Sequence, residues 1–224
     1  MKIVIADKSH SIYADLICET IADAATVRGT GIAKRKPEYI ITKMENGNAV
    51  IALEGDKFAG FCYIEAWSHG KFVANSGLIV HPDFRNIGLA KQIKKVIFDH
   101  SRTKFPNSKV FSITTGLAVM KMNSELGYKP VTFSELTDDQ SFWKGCQTCK
   151  NFDVLTRTEQ KMCLCTGMLY DPAKAEIPKP KEHTKEHTKE HTKDRAYDKK
   201  VWTRLKLIKQ NMFLKKDNKD EPSN

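Results

Sequence analysis

Apolar and polar residues alternate over residues 2–6, the period-two signature of a strand. From Ser9 the apolar positions Ile12, Leu16, Ile17, Ile21 and Ala24 recur at helical spacing, with Ser9 or Ser11 placed to cap the first turn. A glycine-rich cationic stretch from Val27 to Pro37 follows, and Pro37 suits the first turn of a second helix, Glu38 to Glu45. Ala49–Glu54 is almost continuously apolar; Gly55-Asp56-Lys57 reads as a hairpin turn into a partner strand, Phe58–Trp67. His69-Gly70 turns the chain into Lys71–Val80, which ends before Pro82. Leu89–Thr103 is amphipathic, with Ile93, Val96, Ile97 and a structural His100 facing inward and Lys91, Lys94 and Lys95 assigned to solvent. Then come a short strand, Lys109–Thr114, and a helix over Gly116–Leu126 closed by Gly127. Strands Lys129–Phe133 and Lys161–Leu169 bracket a helical or irregular segment, Glu135–Asn151. This order predicts an α+β fold, a mixed sheet flanked by helices.

Composition divides the chain. Its 224 residues, 40% of them apolar, suffice for one medium domain and an appendage. The domain is assigned to residues 1–172, with a cysteine-rich insertion at 135–165. Pro178 and Pro180 open a low-complexity linker, 173–194, in which Lys-Glu-His-Thr occurs three times. In the tail, 195–224, Tyr197, Val201, Leu205, Ile208 and Met212 form an apolar stripe among basic residues, the pattern of an amphipathic helix that docks or meets a partner. Residues 173–224 carry 15 Lys+Arg against 9 Asp+Glu, so most of the +10 net charge sits in the linker and tail together and no nucleic-acid partner is expected of the domain. No apolar run is long enough to span a membrane, and the first seven residues read as a strand rather than a signal peptide; the expected location is cytoplasmic.

Candidate chemistry centres on residues 76–104. An apolar strand (Leu78, Ile79, Val80) gives way to a tight polar loop and then to a helix from about Gly88. Small residues at Gly88 and Ala90 let main-chain N–H groups approach a ligand at a helix N-terminus, an arrangement that holds phosphates. A purely structural turn is the plain alternative. The spacing Arg85-x-x-Gly88-x-Ala90 after Val80-His-Pro82 resembles the pyrophosphate loop of the GNAT superfamily of acyl-CoA N-acyltransferases. The element order from Met1 to Asp171 resembles that fold too: a mixed, mostly antiparallel twisted sheet.

The resemblance implies an enzyme using acyl-CoA as co-substrate, its acyl group passed directly from thioester to amine. Leu78, Ile79 and Val80 would line one side of a splayed strand pair and meet the pantetheine. Arg85, Asn86, Ile87, Gly88, Leu89, Ala90 and Lys91 would take the pyrophosphate. Glu65, near a strand end, is the candidate base acting through a water that Asn75 or Ser76 orients, against an exposed strand-end carboxylate as the plain reading. Many family members carry a tyrosine four residues before the glycine of a Leu-Gly-Tyr motif, as acid to the departing thiolate. Here that glycine is Gly127 and the position holds Asn123, which can still hydrogen-bond sulfur or water; the acid stays open.

Over the acceptor pocket the family places the segment between the first two helices. Arg28, Lys34 and Arg35 there would suit an acidic acceptor, and Thr114 and Thr115 could hold a carboxylate. The strings Val-Arg-Gly-Thr-Gly-Ile-Ala-Lys-Arg, Thr-Thr-Gly-Leu-Ala-Val-Met and Glu-Leu-Gly-Tyr-Lys-Pro-Val are similar to a compact bacterial GNAT group associated with arginine biosynthesis. That group implies glutamate as acceptor and acetyl-CoA or succinyl-CoA as donor. A protein lysine acetyltransferase and a non-catalytic acyl-CoA-binding module remain alternatives, and a homodimer stays open as the assembly.

Cys146-x-x-Cys149 and Cys163-x-Cys165 have the spacing of a structural zinc site if the second pair lies on a strand; reduced structural thiols are the other reading. Cys18 and Cys62 fall on apolar faces and read as core.

Overall fold

One seven-stranded sheet, in the order β1-β2-β3-β4-β5-β7-β6, organises the chain. Its strands are β1 (Lys2–Ile5), β2 (Ala49–Glu54), β3 (Lys57–Trp67), β4 (Phe72–Val80), β5 (Lys109–Thr114), β6 (Lys129–Val131) and β7 (Thr166–Tyr170). The helices are α1 (Ala14–Arg28), α2 (Pro37–Glu45), α3 (Leu89–Lys104), α4 (Leu117–Glu125), α5 (Gln140–Lys144) and α6 (Phe152–Arg157). The computed structural model describes residues 1–28 and 34–175, without the Arg28 side chain. The linker and tail helix expected beyond residue 175 lie outside the described residues. All pairings are antiparallel except β4 with β5. The α+β class and mostly antiparallel sheet read from the sequence are those observed. Among the described residues no helix is long and apolar enough to cross a membrane.

Alternation along the strands sends the core to both faces. Phe61, Tyr63 and Ile79 pack with Ile17 and Ile21 of α1 and Ile40 and Met44 of α2. On the opposite face Cys62, Ile64, Val73 and Val110 meet Leu89, Ile93 and Ile97 of α3. Ala74 and Phe111, one position on from Val73 and Val110, therefore point away from α3; they pack with Phe142, Trp143 and Leu155 of the cysteine-rich segment.

Three expectations are corrected. The pattern beginning at Ser9 opens as a 3-10 segment, Lys8–Tyr13, because Asp7 and not a serine caps it: the Asp7 carboxylate accepts from Ser9 N at 2.9 Å and His10 Nδ1 from Asp7 N at 3.2 Å. The last strand begins at Thr166 rather than Lys161, because its partner β5 ends at Thr114, the residue opposite Thr166, and residues 161–165 have no strand to pair with among the described residues. Lys94, assigned to solvent, is 1% exposed. It shares a helix face with Ile97 and Ser101, and α3 packs broadly across β3 and β4, so the buried stripe is wider than the aliphatic residues alone suggest.

Candidate active site

The parallel pairing of β4 with β5 lasts only from Phe72↔Lys109 to Ala74↔Phe111, although β4 runs on to Val80 and β5 to Thr114. Past that point the β4 main chain has no partner strand on its β5 side. A cavity of ≈ 520 Å³ fills the opening, lined by Asn75 to Ile79 and Phe111 to Thr114. The opening follows from a bulge. Phe61 pairs with Ile79 but Tyr63 with Ser76, so β4 carries one extra residue there, with Gly77 at φ 64°. A Cβ on Gly77 would fall 2.3 Å from Cε1 of Tyr63, so the bulge requires glycine for both space and conformation.

At the end of β4 the chain turns through Pro82–Phe84 into α3. Asn86 (φ 65°) and Gly88 (φ 80°) reverse the backbone, and Arg85 Nε donates to the Val80 carbonyl at 3.2 Å, tying the loop to the strand. No side chain caps α3 and no acidic residue occupies its first turn. Its leading amides are thus open to an anion, with the positive end of the helix dipole behind them. Ile87 is exposed and Leu89 buried, so both offer a ligand chiefly their main chain. Leu78 and Ile79 line the cavity; Val80 packs toward α3 instead. Lys91 is engaged with Glu125 at 2.7 Å, an exposed pair between α3 and α4.

At the cavity's other end, on the α1/α2 face, lies a polar cluster to which Arg35, Tyr39 and Glu65 of the lining belong. Arg35 Nε donates to the Tyr63 hydroxyl at 2.6 Å, and the Tyr39 hydroxyl donates to the Glu65 carboxylate. Lys43 Nζ stands 4.0 Å from that carboxylate and 4.7 Å from the Tyr39 ring centre. Burial, then the Glu65 charge, pushes the Tyr39 phenol far above its usual range, so it stays a proton donor. Burial likewise lowers Lys43, the Glu65 charge only partly offsetting it. Tyr39 and Lys43, one turn apart on α2, were not singled out in the sequence; their i,i+4 spacing beside Arg35 was the available signal.

Asn75 and Glu65 do not face the same side of the sheet, as orienting a common water would require. Asn75 is the register partner of Ile64, while Glu65 pairs with Ala74, so the two side chains leave opposite faces of the sheet. Asn75 is engaged on both ends: Nδ2 donates to Ser101 Oγ at 2.7 Å, and Oδ1 accepts from Tyr128 Oη at 3.0 Å. Ser76, opposite Tyr63, is the one on the Glu65 face. Asn123 is fully buried and does not line the cavity; it donates at 2.7 Å to Ser112 Oγ, which does. Lys34, Arg35 and Thr114 line the cavity, but Thr115 is exposed and outside it, because Thr114 Oγ1 accepts from Gly116 N and turns the chain. The Arg28 side chain and residues 29–33 lie outside the described residues. Two further cavity-lining residues, Trp67 and Asn151, carry buried donors, Nε1 and Nδ2, without a partner among the described residues. Such donors are costly unless a ligand meets them.

All four insertion cysteines line the same cavity. Burial above all, then neighbouring thiols, pushes Cys146 up to about 11 and Cys165 to about 12, so both are protonated near neutrality. Among the described residues no three His, Cys, Asp or Glu side chains are arranged to hold a metal ion. The expected zinc arrangement required Cys163 and Cys165 on a strand face; with β7 beginning at Thr166, they lie in the preceding turn.

A strand pair splayed over an uncapped helix N-terminus, within this sheet order, defines the GNAT fold. The model of the acetyltransferase (GNAT) family matches residues 17–120. No curated protein matches the sequence. Among solved structures, N-acetylglutamate synthase of Neisseria gonorrhoeae, with coenzyme A and N-acetyl-glutamate, is similar at 16% identity and a TM-score of 0.55, over 76% of this chain and 34% of that one. This chain thus matches about a third of that synthase's length. Rv2747 of Mycobacterium tuberculosis, in complex with CoA, is similar at 13% identity and TM-score 0.54, over 76% of this chain and 99% of that one. YncA of Salmonella typhimurium, with acetyl-CoA, gives 15% and 0.52, over 80% and 98%. At these identities the likeness is one of fold.

Proposed function

We propose that the domain transfers an acyl group, acetyl or succinyl, from acyl-CoA to the amino group of a small acidic amino acid, glutamate first, in an arginine-biosynthesis-type role in the cytoplasm. The observation that carries the reading is Arg35 at the cavity wall, its guanidinium oriented by Tyr63 at Nε and by the Lys34 carbonyl at Nη1, leaving Nη2 without a hydrogen bond among the described residues and able to meet a carboxylate. Lys34 adds charge to the same wall. The Neisseria synthase structure contains N-acetyl-glutamate.

In this reading the open β4 edge takes the pantetheine and the α3 amides the pyrophosphate. Glu65, held by Tyr39, accepts the ammonium proton of the acceptor through a water on the Ser76 side of the sheet. The freed amine attacks the thioester carbonyl, already activated and positioned across the opening. Asn123 in place of a phenol supports one second reading, a non-catalytic acyl-CoA-binding module. Replacement of Arg35 by alanine tests the acceptor class: KM should rise for glutamate and aspartate, leaving that of acetyl-CoA unchanged. An equal rise for neutral amino acids contradicts an acidic acceptor.

A further inference from the structure

Lys94 is the least expected residue in the core. Lys91 and Lys95, on the same helix, reach Glu125 and Asp99 at the surface, at 2.7 and 2.6 Å. Lys94 is 1% exposed, yet it lines the cavity between β4 and β5. Among the described residues its ammonium meets no carboxylate and no hydrogen-bond acceptor. The titratable groups that face it are the Cys62 thiol from β3 and Tyr128, whose ring centre lies 5.2 Å away. A cation–π contact recovers only part of the cost of burying an ammonium. This core therefore carries a cation with no resident anion.

Three negative groups could enter the cavity with the proposed substrates. The pyrophosphate belongs at Gly88, six residues before Lys94, or about 9 Å along the helix axis. The acceptor's carboxylates belong with Arg35 on the other face of the sheet. What remains is the sulfur, which becomes an anion inside the opening as the thioester breaks.

We propose that the Lys94 ammonium protonates this departing thiolate, the role for which residue 123 lacks a phenol. The inference rests on the acyl-CoA reading above. In the step, the acceptor nitrogen has bonded to the carbonyl carbon and released its surplus proton to solvent water. Collapse of the adduct re-forms the C=O bond and breaks the C–S bond, with the electron pair leaving on sulfur. Lys94 gives that pair a proton, so CoA departs as a thiol and Lys94 is left as the amine. It regains a proton from solvent once the cavity empties. Burial, partly opposed by Cys62, lowers Lys94 to about 8, close to the range of a thiol, so the transfer is nearly matched.

The test uses the full chain with Lys94→Met and Lys94→Arg, measuring CoA affinity by calorimetry, kcat and KM against pH, and thiolate absorbance of bound CoA. The proposal expects CoA affinity within a few-fold of the parent in both variants. It expects kcat lower by roughly 100-fold in Lys94→Met with little change in KM, and loss of the parent's alkaline limb near pH 8. The thiol of bound CoA should ionise at a lower pH in the parent than in Lys94→Met, a readout independent of turnover, and Lys94→Arg should restore that lowering but not kcat. A Lys94→Met enzyme with kcat within threefold of the parent and the same alkaline limb overturns the proposal and leaves acyl-CoA use standing. Failure of the parent to bind CoA overturns the underlying reading itself.

Discussion

The Tyr63 hydroxyl accepts the Arg35 Nε–H at 2.6 Å, so a strand residue of the sheet core fixes the direction of the cavity's cation. Burial and the Glu65 charge raise the Tyr63 phenol far above its usual range, and it stays neutral. Tyr63→Phe keeps the ring and removes the acceptor. A hydrogen bond to a charged group contributes about 1.5–3 kcal/mol, so the KM for an acidic acceptor should rise roughly tenfold or more, with acetyl-CoA unaffected. Steady-state kinetics with each substrate varied in turn checks this.

Gly77 is the hinge of the splay. Alanine there meets the Tyr63 ring and a positive φ together, and should destabilise the domain by about 2–4 kcal/mol. Thermal melts should show a drop of roughly 5–10 °C. An unchanged melting temperature would mean that the bulge is not strained by a side chain.

Glu65→Gln should lower kcat by roughly 100-fold with a small effect on acceptor KM, the pattern of a lost base rather than a lost binding group. Tyr39→Phe, which frees the carboxylate, should cost less, about fivefold. Thiol-release rates decide both, and a Glu65→Gln enzyme within threefold of the parent excludes the base role.

Lys94 also sets a sign for stability against pH. Its folded pKa, about 8, lies below the unfolded value near 10.5, so between these values the unfolded chain binds more protons and this group's contribution rises with pH. At pH 7 the buried charge costs stability. Lys94→Met should therefore melt roughly 5–10 °C higher at pH 7, with the gap closing as pH rises beyond 8. Denaturation curves at pH 7, 9 and 10.5 measure it.

Legibility in the sequence tracked how local the determining physics is. Pro37 opening α2, the Gly55 turn joining β2 to β3, and the small residues at the head of α3 act within a few positions, and the pattern revealed them. The opposite facing of Asn75 and Glu65 also follows from period-two alternation, but only once the register Ile64↔Asn75 is known. Lys94 was hidden by its neighbours: three nearby lysines read as one solvated face, and only the width of the α3 contact shows that one turns inward. Tyr39, Lys43 and Trp67 reach the site through tertiary packing that spacing cannot supply. The cysteine pairs had metal-like spacing, yet their arrangement depended on where β7 begins, and that boundary is set by where its partner β5 ends, at Thr114 opposite Thr166.

The central claim, that this cavity joins an acyl-CoA to an acidic amino acid, is tested most directly by CoA-thiol release across a panel of donors and acceptors. Acetyl-CoA and succinyl-CoA would each be offered with glutamate, aspartate, neutral amino acids and a lysine peptide. The account expects release with glutamate well above every neutral acceptor and the peptide. CoA binding without release for any acceptor, or release favouring the lysine peptide, would contradict it.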